Sequence, residues 1–198
     1  MNQTYAVTVA PTEQPVTLTE AKAQLRITSD AENVRIEKFV EEATDTLQER
    51  INRQIVTATI VLKLDNFPFA SNTNRHAEIL IPRGPSQSVT SILYDDTDGV
   101  EQTLSSANYS LESSDPVGRI RLASGESWPS VKDQQSAVRV TYVAGYGAAS
   151  AVPARIKGII LKAVEDLFEH RGAQSEIALK LNATFDRLLD LDDFRNVA

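Results

Sequence analysis

Apolar residues recur with a helical period in the first third of the chain. Thr17 and Glu20 have the spacing of a capping box, which predicts a short helix that begins there and ends near Leu25. Ser29 or Asp30 is expected to cap a longer helix. The apolar face of that helix recurs every three or four positions and consists of Ile36, Phe39, Val40, Ala43, Leu47 and Ile51.

After Asn52 the hydrophobic period changes from about 3.6 to two. The alternation of Ala58, Ile60, Leu62 and Leu64 with polar or outward positions predicts a half-buried strand. Further short strands are predicted, with turn residues between them, at residues 78–82, 87–96, 100–104, 108–112, 118–122 and 137–143. Such regular short strands indicate an antiparallel sheet or a small barrel.

The helical period returns at Pro153, which suits the first turn of a helix. The apolar face of this helix consists of Ile156, Ile159, Ile160, Ala163, Val164, Leu167 and Phe168. Gly172 is expected to end it. A last helix is expected from Ser175, with a stripe made of Ile177, Leu181, Phe185, Leu188 and Leu189.

Together these patterns predict an α+β protein in which N- and C-terminal helices form a helical bundle with an inserted antiparallel β sub-domain. The chain of 198 residues is long enough for one core with a sub-domain inserted in it. The expected division is an extended arm over 1–16, a helical domain over 17–54 and 152–190, a β sub-domain over 55–147, and a C-terminal tail over 191–198.

Composition argues against several kinds of site. The chain has no Cys and two His, so we expect no disulfide, no metal centre and no cofactor. Its formal net charge of -7 argues against a nucleic-acid clamp, which needs clustered Lys and Arg. No apolar run approaches the roughly 18 residues that span a bilayer, and the N-terminus has no signal-peptide pattern. We expect a soluble protein made in a cytoplasm.

Two motifs suggest a ligand site until their surroundings are considered. The stretch GYGAAS at 145–150 follows a predicted strand, as a dinucleotide-binding loop does, but no further parallel strand follows it. Asp95, Asp96 and Asp98 hint at a calcium loop, but the EF-hand register would place Tyr94 at its first ligand position. We interpret the first as a flexible strand exit and the second as a hairpin turn that ends in Asp98-Gly99.

The two histidines and the one tryptophan offer no catalytic set. His76 lies in a polar loop and His170 at a helix end, and the sequence pairs neither with a nucleophile, so surface roles are expected. Trp128 is either an interface anchor or a lid on the β core, and we favour the lid. No catalytic residue is therefore predicted, and the chain is not expected to be an enzyme.

A succession of phrases carries a family resemblance. In order they are PVTLTEAKAQLRI, VEEATDTLQERINRQIVTATIVLKLDNFP, ILIPRGPSQSVTSILYDDTDG, SGESWP, AVRVTYVAGYG and VPARIKGIILKAVEDLFEHR. Over about residues 15–171 this resembles the head–tail connector (adaptor) family of tailed phages, prophages and gene transfer agents. The resemblance implies a structural protein of the virion neck that forms a dodecameric ring under the portal, extends the DNA channel and links head to tail.

The resemblance also implies partners: the portal protein, further copies of the chain, and the next neck (stopper) protein. DNA would pass through the channel without sequence-specific binding, and no membrane is involved. Portal docking would involve Phe185, Leu188, Leu189, Phe194, Arg195 and Val197. The polar loop around Ser71, Asn72, Thr73, Asn74, Arg75 and His76 would contact a neighbouring subunit or the next neck protein.

Other interpretations stay open from the sequence alone. The end of the chain beyond Asp190 is as compatible with a frayed terminus as with a docking peptide. The chain could also be a tail-completion protein of the same particle. A ligand-binding protein or enzyme would instead show a deep pocket with perturbed carboxylates.

Overall fold

A computed structural model describes residues 3–69, 77–113 and 117–169. The helices are α1 (Leu18–Leu25), α2 (Asn33–Ile51) and α3 (Ala154–Glu169). The strands are β1 (Gln3–Val9), β2 (Ala58–Leu64), β3 (Ile79–Ile81), β4 (Ser86–Asp95), β5 (Glu101–Thr103), β6 (Tyr109–Glu112), β7 (Gly118–Leu122) and β8 (Val138–Ala144). Helices together with antiparallel sheets confirm the predicted α+β class.

The three helices belong to one compact unit, which contains residues 12–56 and 146–169 of the described chain. The capping box at the start of α1 is confirmed, because Thr17 Oγ1 accepts the Glu20 N–H at 3.2 Å and the Glu20 carboxylate accepts the Thr17 N–H at 2.7 Å. The predicted apolar faces of α2 and α3 contribute to one core, whose members include Ile36, Val40, Leu47, Ile156, Ile160 and Leu167.

The predicted cap of α2 is wrong. The helix begins at Asn33, and the preceding Glu32 makes no side-chain cap hydrogen bond. Asp30 instead accepts hydrogen bonds from Lys22 Nζ at 2.7 Å and from Asn33 Nδ2 at 3.2 Å. The carboxylate is therefore held by a lysine of α1, while Ser29 Oγ accepts the N–H of Ala31 in the turn before the helix.

The strands belong to a second compact unit, which contains the described parts of residues 3–11 and 57–145. They form a five-stranded sheet in the order β1-β2-β8-β4-β5 and a three-stranded sheet in the order β3-β7-β6. All strand pairs are antiparallel. The segment expected as an extended arm includes β1, which pairs with β2 and forms one edge of the larger sheet.

One face of the five-stranded sheet carries apolar rows that cross it from strand to strand. One row consists of Val7, Ile60, Tyr142 and Val89, and the next consists of Tyr5, Leu62, Val140 and Ile92. Residues in the middle of these rows are fully buried, whereas Val7 and Tyr5 on β1 are 45% and 39% exposed. The apolar layer therefore continues to the edge of the sheet without being covered there.

Trp128 covers part of the β core, which confirms the predicted lid. Its ring stacks on Phe67 with 4.8 Å between ring centroids, and its Nε1 donates a hydrogen bond to the carbonyl oxygen of Ala77 at 2.7 Å. The indole thus buries its apolar face while its one polar atom is satisfied.

A buried carboxylate, Glu78, directly precedes β3, and its side chain is 3% exposed. Arg119 and Arg121 of β7 both donate hydrogen bonds to it. Burial is the largest influence on the pKa of Glu78 and would raise it, but the two guanidinium groups together outweigh burial and hold this pKa below its ordinary value. The carboxylate is therefore charged at neutral pH, and its pairing stabilises the folded state there.

Replacing Glu78 by Gln should lower the free energy of unfolding at neutral pH by about 1–3 kcal/mol, because two hydrogen bonds to a charged group are lost. A carboxyl group with a lowered folded pKa contributes stability above its unfolded pKa and loses it as pH falls through the folded pKa. The difference between wild type and Glu78→Gln should therefore shrink below pH 4.5, the ordinary value for Glu. Urea denaturation of both proteins across that pH range measures the difference in their free energies of unfolding.

Glu112→Gln is the matched control, since Glu112 also pairs with Arg121, at 2.9 Å, but is 47% exposed. Its substitution should cost less than about 1 kcal/mol. Equal losses in both variants, or a Glu78→Gln difference that does not change with pH, would contradict the assignment.

Candidate interaction surfaces

The residues predicted to make contacts with partners lie outside the described residues. This applies to the portal-docking set of Phe185, Leu188, Leu189, Phe194, Arg195 and Val197, and to the loop set of Ser71, Asn72, Thr73, Asn74, Arg75 and His76. It applies also to His170 and Gly172. Their roles stay predictions.

The glycine-rich stretch that resembles a nucleotide loop serves as a strand exit. Gly145 and Gly147 both have φ of 124°, a conformation that favours glycine. The N–H of Gly145 donates to the carbonyl oxygen of Pro85 at 2.9 Å. The N–H of Ala149 donates to the Glu13 carboxylate at 2.8 Å. The Glu13 carboxylate therefore accepts the backbone N–H that a bound phosphate would need. The sheet that precedes the glycine-rich stretch is antiparallel.

The aspartates of the β4–β5 hairpin are bound within the fold. Arg139 Nη2 lies 2.7 Å from Asp95 Oδ1, and this hydrogen bond is the main cause of the lowered pKa of Asp95. Asp96 Oδ1 accepts the backbone N–H groups of Asp98 at 3.0 Å and Val100 at 2.9 Å. Within residues 3–69, 77–113 and 117–169, no group of three Asp, Glu or His side chains could hold a metal ion.

A groove of about 490 Å³ lies between the start of α1 and the first half of α2. Its apolar lining comes from Val16, Leu18, Val34 and Val40, and its rim carries Glu13, Glu37, Lys38 and Glu41. The carboxyl groups whose pKa values are lowered, such as Glu20, Glu78 and Asp95, do not line it, and each is held by a hydrogen bond within the fold. The groove is therefore not lined by the carboxyl groups whose pKa values are shifted.

The free side of β1 is a second open surface. All seven residues of the strand are exposed, and none carries a charge. Tyr5, Val7 and Val9 are 39%, 45% and 58% exposed. Arg83 donates from Nε to the Tyr5 hydroxyl at 3.2 Å, and its guanidinium lies 5.3 Å from the centre of the ring. The Arg83 side chain thus covers part of an edge that is otherwise uncharged and accessible.

Strand β1 was not predicted from the sequence. The signal was present, because Tyr5, Val7 and Val9 alternate with Ala6 and Thr8 in a run of residues that favour strands. Pro11 and Pro15 after this run favoured an extended arm instead.

Among the described helices, none is both long and apolar enough to cross a bilayer.

Comparisons with known proteins agree with this architecture. The fold is similar to a chain in the virion of a native gene transfer agent particle, with a TM-score of 0.71, 19% identity and 86% of each chain covered. It is also similar to a chain in the neck of an empty particle of this kind, with a TM-score of 0.70, 20% identity, and 93% of this chain and 94% of that one covered. At such identities these matches show the fold.

Sequence comparisons show the family. A segment of 41 residues is 46% identical to the head completion protein gp6 of Enterobacteria phage HK97, and it spans 21% of this chain and 38% of that protein. Residues 15–118 match the family described as Phage gp6-like head-tail connector protein. This match extends over more than half of the chain and confirms the resemblance found in the sequence. The chain belongs to the phage gp6-like head–tail connector family.

Proposed function

We propose that the protein acts as a structural connector in the neck of a tailed phage or gene transfer agent, where copies form a ring under the portal and extend the DNA channel. The family match over residues 15–118 carries this proposal. A chain of similar fold lies in the neck of a native gene transfer agent particle whose reconstruction used C12 symmetry, with a TM-score of 0.68 and 19% identity. That similarity supports a ring of twelve copies.

The physical properties of the chain support the same role. A cyclic ring needs two different contact surfaces on each copy, and β1 and the α1/α2 groove are open surfaces in the described chain. The net charge of -7 favours weak contact with DNA phosphates, so DNA would slide through the channel without being held. The role needs no catalytic activity and no cofactor. We propose further that the helices form a bundle into which the β sub-domain is inserted.

The ring would have two further partners. The C-terminal residues Phe185, Leu188, Leu189, Phe194, Arg195 and Val197 would dock on portal subunits. The loop over residues 71–76 would contact a neighbouring copy or the next neck protein. Phe194 and Val197 are spaced apolar residues beyond the predicted helical stripe, and residues 71–76 are polar, which suits contacts with a partner.

Portal rings from the same particle, immobilised on a support, should retain the full-length chain and should not retain a chain that lacks residues 190–198. Phe194→Ala with Val197→Ala should weaken retention by at least about tenfold, since two apolar anchors are lost. Asn196→Ala is the matched control and should bind as wild type does. Circular dichroism melts should be unchanged in every variant. Undiminished binding of the truncated chain would exclude the C-terminal docking site.

Replacing residues 71–76 by a Gly/Ser segment of equal length should reduce the yield of infectious or transducing particles, because the loop contact is lost. Replacing Ser124, Glu126 and Ser127 by Gly is the control, since these side chains are exposed in a different loop. Particle titres and electron micrographs of the neck provide the measurement. Normal titres and normal necks with the 71–76 replacement would rule out a contact role for the loop.

A further inference from the structure

The five-stranded sheet has two strand edges that are open in the described chain. We propose that in the assembled ring β1 of one copy pairs with the unpaired edge of β4, residues 87–91, of the next copy. The sheet would then continue from subunit to subunit around the ring. This inference rests on the proposed ring function and adds the contact that builds the ring.

The edge of β1 is suited to pairing rather than protected against it. As an edge strand, it directs about half of its backbone N–H and C=O groups away from β2. Proteins usually protect such an edge with Lys, Pro or an interruption of the strand. The sequence of β1, QTYAVTV, has no charge and no Pro, and its pairing with β2 is irregular only between Val7 and Val9.

The opposite edge offers a stretch of similar length. β5 pairs only with residues 93–95 of β4, and no other described strand pairs with residues 87–91 on the side away from β8. This stretch, QSVTS, is also uncharged, and the side chains of Gln87, Ser88 and Thr90 are exposed. Its pairing with β8 shifts register between Ser86 and Ser88 and between Val89 and Ser91. Neither edge would bring an unpaired charge into the contact.

Strand directions allow the two edges to meet. Because every neighbouring pair in the order β1-β2-β8-β4 is antiparallel, β1 and β4 run in opposite directions. Neighbours in a ring of many copies are related by a small rotation, so their sheets keep nearly the same orientation. β1 of one copy would therefore meet β4 of the next as an antiparallel partner, which is the favoured ladder geometry.

The side chains fit this arrangement as well. Val7 and Val89 lie at opposite ends of the same apolar row, and Tyr5 and Ile92 lie at the ends of the next. Joining the edges would continue the rows into the neighbouring copy and remove the exposed parts of Val7 and Tyr5 from water. A pair of two β1 strands would instead be two-fold symmetric and would close a dimer, not a ring.

Crosslinking in assembled particles tests the contact directly, since the chain has no native cysteine. One variant combines Ala6→Cys on β1 with Thr90→Cys on β4. It is expressed in a producer that lacks the gene, and the resulting particles are treated with a short bis-maleimide. We expect a ladder of covalent oligomers. The control combines Ala6→Cys with Ser110→Cys on β6, an exposed residue of the other sheet, and should give no ladder. Dimers from Ala6→Cys alone would show β1–β1 pairing and overturn the proposal.

A charge on the edge provides a second test. Val7→Lys should lower incorporation into the neck at least about tenfold, because a lysine at this position protects an edge from pairing. Leu80→Lys on β3 is the matched control, since Leu80 is 42% exposed and Val7 is 45% exposed. If Val7→Lys melts at a lower temperature than wild type, Val9→Lys is used in its place, since Val9 is 58% exposed.

The outcomes separate this inference from the function on which it rests. Absence of the wild-type chain from the neck would reject the proposed function. A wild-type chain in the neck, with no ladder and normal incorporation of the lysine variants, would reject only the strand pairing. Intact rings that lose the next neck protein in Val7→Lys would assign the edge to that other partner and would also overturn the proposal.

Discussion

The apolar rows of the five-stranded sheet are the feature on which the β unit depends. They bury Ile60, Leu62, Val140 and Tyr142 completely in the interior of the sheet. Trp128 and the three-stranded sheet supply further contacts to this core. The rows reach β1, where Tyr5 and Val7 are 39% and 45% exposed, so the apolar layer that stabilises the unit is accessible at that edge.

The polar groups that could have formed a catalytic or metal site are instead bound within the fold. Arg139 holds Asp95, the backbone of the hairpin holds Asp96, and the Ala149 N–H beside the glycine-rich stretch donates to Glu13. Glu78 is buried but paired with two arginines. Each of these groups holds a turn or a strand in place.

Local patterns in the sequence predicted the elements well because their causes are local. The capping box at Thr17 and Glu20 and the alternation along β2 depend on residues a few positions apart. The predicted cap of α2 was wrong because the Asp30 carboxylate accepts a hydrogen bond from Lys22, and only the folded turn brings these two residues together. The pairing of β1 with β2 joins residues 50 to 61 positions apart, and no local period encodes it. The open strand edges could therefore not be predicted from the sequence. The docking residues inferred from the family resemblance lie outside the described residues and stay predictions.

Electron microscopy of particles from a producer that lacks the gene would show whether this chain joins head to tail. We expect DNA-filled or leaking heads beside separate, complete tails, and recovery of joined particles when the gene is supplied again. Normal tailed particles in the absence of the gene would contradict the connector function.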